Sequence, residues 1–190
     1  MSLRNTLALV SAISAFACLP AHAAAPVFAG ELGSGVYAGS VAAESGPFTD
    51  GAQWSFWKFK ADFMANVDIA VTPNDASFDP FIAVWYGIET DTSEYFDMIS
   101  SSMNTTFVAS ADGVGPFGPA GAGDPAQVRF MNDYGNDYFT LAIADYTDQL
   151  GAGQLGYSIT AAVPEPETYA QLLAGLGLLA GAMRLRRKSR

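Results

Sequence analysis

From residue 66 to residue 72 apolar and polar side chains alternate without a break: Val67, Ile69 and Val71 fall on one side, Asp68, Ala70 and Thr72 on the other. A period of two marks a strand with one buried face, because successive side chains of an extended chain leave in opposite directions. Residues 137–145 read the same way, with Phe139, Leu141 and Ile143 on one face, and further strands are expected at 35–41, 53–60, 80–87, 105–111, 126–131 and 155–161. Glycine, proline, asparagine and aspartate cluster between these runs, as turns require. No helix of crossover length separates the strands, which argues against a parallel α/β sheet. The expected fold is all-β, an antiparallel β-sandwich of about eight strands.

Two places strain the pattern. Trp54, Phe56, Trp57 and Phe59 put aromatic rings on both faces of one strand, which is then covered on both sides or bulged. Residues 91–103 carry Asp91 three positions before Glu94, followed by Tyr95, Met98, Ile99 and Met103 at helical spacing, so a short helix or ordered insertion is expected there.

Both ends of the chain differ from the middle. Residues 1–23 have the form of a signal peptide, flanking the folded body on its N-terminal side: Arg4 is the positive start, an apolar run follows, and Ala21-His22-Ala23 is a small-x-small cleavage site. The rival reading of Cys18 as a lipidated residue lacks the expected leucine in Ala15-Phe16-Ala17. Cleavage after Ala23 removes Cys18 and His22, the single cysteine and single histidine of the chain. Disulfides, thiolate or imidazole zinc sites, and cysteine or serine-histidine nucleophiles are thereby excluded from the mature protein. Among enzyme mechanisms a pair of carboxyl groups remains, as in glycoside hydrolysis, and no such pair stands out. The expectation is a protein that is not an enzyme.

Charge is as uneven as hydropathy. The net charge is −10, yet residues 24–163 hold three cations, Lys58, Lys60 and Arg129, against seventeen carboxylates. A body this acidic repels phosphate backbones, so nucleic acid is not an expected partner. Five of the other six cations, Arg184, Arg186, Arg187, Lys188 and Arg190, close the chain. Before them the uncharged stretch 170–183 would make a helix of about 21 Å, short of a bilayer core of about 30 Å. Extension to 169–185, with Tyr169 at one interface and Arg184 snorkelling at the other, gives a transmembrane helix whose terminal cations lie in the cytoplasm. Pro164-Glu165-Pro166 breaks any continuous element ahead of it and leaves an extended peptide.

Together Val163-Pro164-Glu165-Pro166, the Leu/Gly/Ala helix and the arginine-rich end resemble the PEP-CTERM sorting signal. That signal is recognised by exosortase, a membrane transpeptidase-like enzyme of Gram-negative bacteria that also make exopolysaccharide. The resemblance implies a sorting motif at Pro164, Glu165 and Pro166 and a temporary anchor in the inner membrane. The body would stand in the periplasm before processing and at the cell surface or outside the cell afterwards. The organisation is then a signal peptide at 1–23, a sandwich body at 24–162 and a sorting signal at 163–190. The body itself is similar to the bacterial pre-peptidase C-terminal type of β-sandwich, through Phe78-Asp79-Pro80-Phe81-Ile82-Ala83-Val84-Trp85, Asp112-Gly113, the strand from Asp137 and the closing Gly156-Tyr157-Ser158-Ile159.

Counting reversals in an antiparallel sandwich puts the loops holding Asp50, Asp75 and Asp79, Asp112 and Asp124, and Asp148 at one end, remote from Val163. Carboxylates and carbonyls without histidine or thiolate suit a hard cation such as calcium, with Asp79 and Asp112 the first candidates because each sits where a strand begins or ends. Against it stands ordinary turn chemistry, since aspartate before proline or glycine bonds the nearby backbone. Asn132, Asp133 and Asp137 read first as a hairpin turn, and Trp57, Trp85 and Tyr86 as core before any sugar-stacking face. The function expected is that of an exported, non-catalytic surface or matrix protein associated with exopolysaccharide or biofilm. The alternative is a calcium-assisted module binding a glycan or protein.

Overall fold

A computed structural model describes residues 25–48, 51–92, 98–102, 104–113, 121–146, 153–163 and 174–178. Nine strands run in chain order: β1 Phe28–Leu32, β2 Gly35–Ala42, β3 Ser55–Lys60, β4 Asn66–Pro73, β5 Pro80–Tyr86, β6 Thr106–Ala111, β7 Ala126–Met131, β8 Tyr138–Asp145 and β9 Gln154–Ala162. They form a five-stranded sheet in the order β1-β3-β8-β5-β6 and a four-stranded sheet in the order β2-β9-β4-β7. The sandwich is therefore as expected, with one strand more. β1 lies parallel to β3, pairing Phe28 with Phe56 and Leu32 with Phe59, while every other pair is antiparallel. The sequence concealed β1 because Gly30 interrupts its apolar face. A Cβ at Gly30 would stand 2.9 Å from the Trp57 ring, so the strand trades a side chain for contact with that ring.

The inner faces of the two sheets enclose a core in which Val67, Ile69 and Val71 of β4 meet Ile82 and Val84 of β5 and Leu141 and Ile143 of β8. Burying such side chains contributes roughly 1.5–3 kcal/mol each before chain entropy is subtracted. Trp57 and Phe59 of β3 belong to this core, and Phe59 stacks on Phe139 at 5.0 Å.

The outer face of the five-stranded sheet is covered as well, which explains the two-sided aromatic pattern of β3. Trp54, Phe56, Phe81, Ala83, Trp85, Ala142 and Ala144 form a second apolar cluster closed by Met98 from the connection between β5 and β6. Trp85 is fully buried, stacks on Trp54 at 6.5 Å, and donates its indole N–H to the Ser100 carbonyl at 2.7 Å. Buried Glu89 ties the same connection down: Oε1 accepts the N–H groups of Thr90 and Asp91, and Oε2 accepts the Ser102 hydroxyl at 2.7 Å. The connection is thus an ordered cover. Residues 98–102 are turn and coil, and residues 93–97 and 103 of the expected helix or insertion lie outside the described residues.

Strand directions sort the loops into two ends. β3, β5, β7 and β9 begin at one end, where β2, β4, β6 and β8 finish. The chain leaves at the other end. There Val163 is fully buried and its carbonyl accepts the Ser34 hydroxyl at 2.7 Å, so order in the body extends through the residue before Pro164. Residues 174–178 are helical, within the expected anchor at 169–185. Among the described residues no helix is long and apolar enough to cross a membrane.

Candidate functional site

The end remote from Val163 gathers carboxylates from three adjacent strands. Asp145 closes β8 and pairs in register with Pro80, so it stands beside Asp79, the residue before β5. Asp112 follows β6, whose Ala111 pairs with Ile82. Asp124 precedes β7 across the sandwich, in a turn where its N–H donates to the Gly121 carbonyl at 3.0 Å. Asp75 lies at the same end, its Oδ2 accepting the Gly156 N–H at 2.9 Å. The placement of Asp75, Asp79, Asp112 and Asp124 agrees with the strand count; Asp50 and Asp148 lie outside the described residues.

These carboxylates are not equivalent. Asp145 is fully buried and acts as a bracket. Its Oδ1 accepts the Asp79 N–H at 3.1 Å, its Oδ2 accepts the Glu44 N–H at 3.0 Å, and its own N–H donates to the Ser45 hydroxyl at 2.8 Å. The Asp79 carbonyl accepts the Tyr146 N–H at 2.8 Å, so the backbone at Asp79 is held on both sides. Asp79 is 8% exposed, yet among the described residues its Oδ1 has no hydrogen-bond partner, and neither has the buried Oδ1 of Asp112. A buried polar atom left unpaired costs about 1–3 kcal/mol, so each of these oxygens is either a point of strain or a place where water or an ion is accommodated.

Electrostatics single out the same pair. Burial, followed by the neighbouring charges of Asp112, Asp145 and Asp124, raises the Asp79 carboxyl from 3.8 to about 6. Burial alone pushes Asp112 upward. At Asp79 and Asp112 poor solvation disfavours the charged form unless a proton or a cation neutralises it. Among the described residues no group of three or more His, Cys, Asp or Glu side chains is placed to hold a metal ion.

The remaining candidates separate cleanly. Trp57 and Trp85 are buried core, and Tyr86 packs edge-on against Phe139 at 5.3 Å and on Tyr134 at 5.4 Å. Asn132 organises the expected turn: its Nδ2 donates to the carbonyls of Ala61, Asp62 and Gly135, and its Oδ1 accepts the N–H groups of Tyr134 and Gly135. Sequence reasoning passed over Asp145, although it closes a strand just as Asp79 opens one. The sorting residues Pro164, Glu165 and Pro166 and the cations Arg184, Arg186, Arg187, Lys188 and Arg190 lie outside the described residues.

Comparison with known proteins identifies the tail. Residues 162–188 match the PEP-CTERM protein-sorting motif, which marks exported proteins whose membrane-anchored precursors are processed by exosortase for the cell surface. No curated protein matches the chain. Among solved structures the body is similar to CorA of Methylomicrobium album BG8, a surface-associated copper-binding protein, with TM-score 0.54 and 13% identity over 74% of this chain and 100% of that one. At that identity the likeness is one of fold. The pre-peptidase C-terminal domain of a Bacillus anthracis collagenase is also similar, with TM-score 0.42 and 12% identity over 71% of this chain and 96% of that one. So is MopE of Methylococcus capsulatus, a secreted copper-binding protein, with TM-score 0.44 and 8% identity over 75% and 92%.

Proposed function

We propose that this chain is a non-catalytic surface or matrix protein, released by exosortase from a precursor anchored in the inner membrane with its body in the periplasm, and retained in an exopolysaccharide-rich layer or biofilm. The observation that carries this reading is the junction. The sorting motif starts on Ala162, the last residue of β9, and the fold closes on Val163 one residue later. Cargo and address therefore abut without a linker, and the body can leave intact once the tail is cut. The lack of histidine and cysteine beyond residue 23 supports a role without nucleophilic or imidazole chemistry. Deleting residues 164–190, which spares buried Val163, is expected to keep the body out of the surface fraction, and removing exosortase from the host is expected to leave the chain unprocessed and absent from that fraction. Unchanged processing and location in either case would sink the reading.

The unpaired oxygens of Asp79 and Asp112 favour a second element, a calcium-assisted module at the end facing away from the membrane, contacting a glycan or protein of the matrix. Copper, bound by CorA, is a poorer match for this donor set, since copper favours imidazole and sulfur ligands and the paired side chains here offer oxygen. Calorimetric titration of the processed protein separates the two ions: calcium heat that disappears in Asp79→Ala is expected, and heat with copper alone would reverse the assignment.

A further inference from the structure

Four strands form the edges of the two sheets, and three of them are defended. β1 is short, shifts register between Phe28 and Glu31, and carries the Glu31 to Lys58 ion pair at 3.2 Å. β6 shifts register opposite Val84 and Trp85; the Phe107 N–H on this strand donates to the Ser101 hydroxyl at 2.9 Å, and its carbonyl accepts from Tyr134 at 3.4 Å. β7 carries Arg129, and its Gln127 N–H donates to the Gly113 carbonyl at 2.9 Å. These are the devices by which proteins keep sheet edges from pairing with other chains.

β2 has none of them. It pairs with β9 through all eight residues without a register shift, and residues 33–43, GSGVYAGSVAA, contain no charge and no proline. Among the described residues its backbone makes no hydrogen bond beyond those to β9, so alternate N–H and C=O groups face outward unpaired. Val36 is 74% exposed on its outer face. Gly39 cannot be replaced to roughen the strand, because a Cβ there would stand 2.5 Å from the Tyr157 hydroxyl.

We propose that β2 is the surface through which two copies of this chain associate, antiparallel and edge to edge, joining two four-stranded sheets into one of eight strands. Unpaired strand groups are satisfied by another strand, and a two-fold axis normal to the sheet pairs an edge with itself in the antiparallel sense. Residues directly opposite must share a face, so the axis passes through a residue at the middle of the strand, Ala38 or Gly39. Charge leaves this edge open to a second copy: bodies with fourteen more acidic than basic residues repel one another elsewhere, whereas residues 33–43 bring no like charges together. The pairing sends the two Val163 exits to opposite ends of the joined sheet.

The test uses the processed protein, since two tails leaving opposite ends of the joined sheet could not share one bilayer. Light scattering across a concentration series is expected to give a monomer–dimer equilibrium. Ala38→Lys, on the exposed face of β2, should weaken it about tenfold or more, while Met131→Lys on the β7 edge leaves it unchanged. Because removal of residues 1–23 takes away Cys18, the one cysteine of the chain, Ala38→Cys then gives a single thiol, and oxidation or a short bifunctional maleimide should trap the dimer in that variant and not in Met131→Cys. A strict monomer at all concentrations overturns the proposal. So does a dimer that survives Ala38→Lys with cross-linking at Met131→Cys, which would move the interface to another edge.

Discussion

The two ends of the sandwich bury polar side chains at similar depth and use them differently. At the end where the chain leaves, Asn132 is fully buried with its amide committed to three carbonyls and two N–H groups, so each of its polar atoms is spent on holding the 61–65 and 132–137 turns together. At the opposite end Asp145 plays the same bracing part, yet its neighbours Asp79 and Asp112 each keep a buried oxygen unpaired. Among the described residues, polar groups are satisfied at one end and two are left unpaired at the other, so the second pair either serves a ligand or is strain.

The largest effect is expected from removing the satisfied group. Asn132→Ala removes the side-chain partner of the carbonyls of Ala61, Asp62 and Gly135 and of two N–H groups, leaving Asp62 with the Ala65 N–H alone, and should cost about 2–3 kcal/mol in urea-induced unfolding. If instead Asn132→Ala costs no more than Asp79→Ala, measured in chelator, the two ends do not differ as described.

Next comes calcium itself. At a concentration about 100 times its dissociation constant a ligand of the folded state adds about 2.7 kcal/mol, enough to raise the melting temperature by several degrees. That shift is expected in the wild type and in Asn132→Gln, and should vanish in Asp79→Ala and Asp112→Ala. A melting temperature indifferent to excess calcium removes the cation reading and leaves the unpaired oxygens as strain.

How far the sequence carried this account differs between the same two ends. Asp79 and Asp112 were legible because strand alternation fixed where β5 begins and β6 ends, and antiparallel counting then placed both loops together. Their burial was not legible, since it depends on Asp145 and on the 44–46 loop folding over β8, contacts separated by about a hundred residues. β1 escaped because Gly30 removes one apolar position, and its parallel partner β3 is not its neighbour in sequence. The double-sided β3 announced a second apolar layer, but only packing shows that Met98 closes it.

Acidity offers a smaller effect with a definite sign. In the fold Asp79 holds its proton up to about pH 6, against 3.8 as the ordinary value, so between those limits the folded state binds more protons than the unfolded one. Without divalent cations, stability should therefore rise as pH falls from about 6 toward 4, by on the order of 1–2 kcal/mol from this group, and lie flat above about 7. Asp79→Asn should flatten the profile. If calcium binds, it should reverse the dependence, because the cation needs the deprotonated carboxylate: its stabilisation should grow as pH rises through about 6. A profile with the same slope with and without calcium would mean that proton and cation do not compete for this carboxyl.

The smallest effect resolves how the acidic end is graded. Burial dominates the Asp79 shift, followed by Asp112, Asp145 and Asp124 in that order. Asp145→Asn is a poor probe, since its carboxylate also holds the Asp79 and Glu44 N–H groups and its loss moves the backbone. Asp112→Asn and Asp124→Asn leave that bracket in place. Followed by carboxyl NMR, the Asp79 midpoint should fall in Asp112→Asn and fall less, by a few tenths of a pH unit at most, in Asp124→Asn, since a single charge acting through partly hydrated surroundings is strongly attenuated. Asp133→Asn, in the turn that Asn132 organises at the opposite end, should leave the midpoint where it was. If Asp124→Asn moves Asp79 more than Asp112→Asn does, the pair that shares the buried point is Asp79 with Asp124, and the cation would bridge the two sheets where β5 and β7 begin.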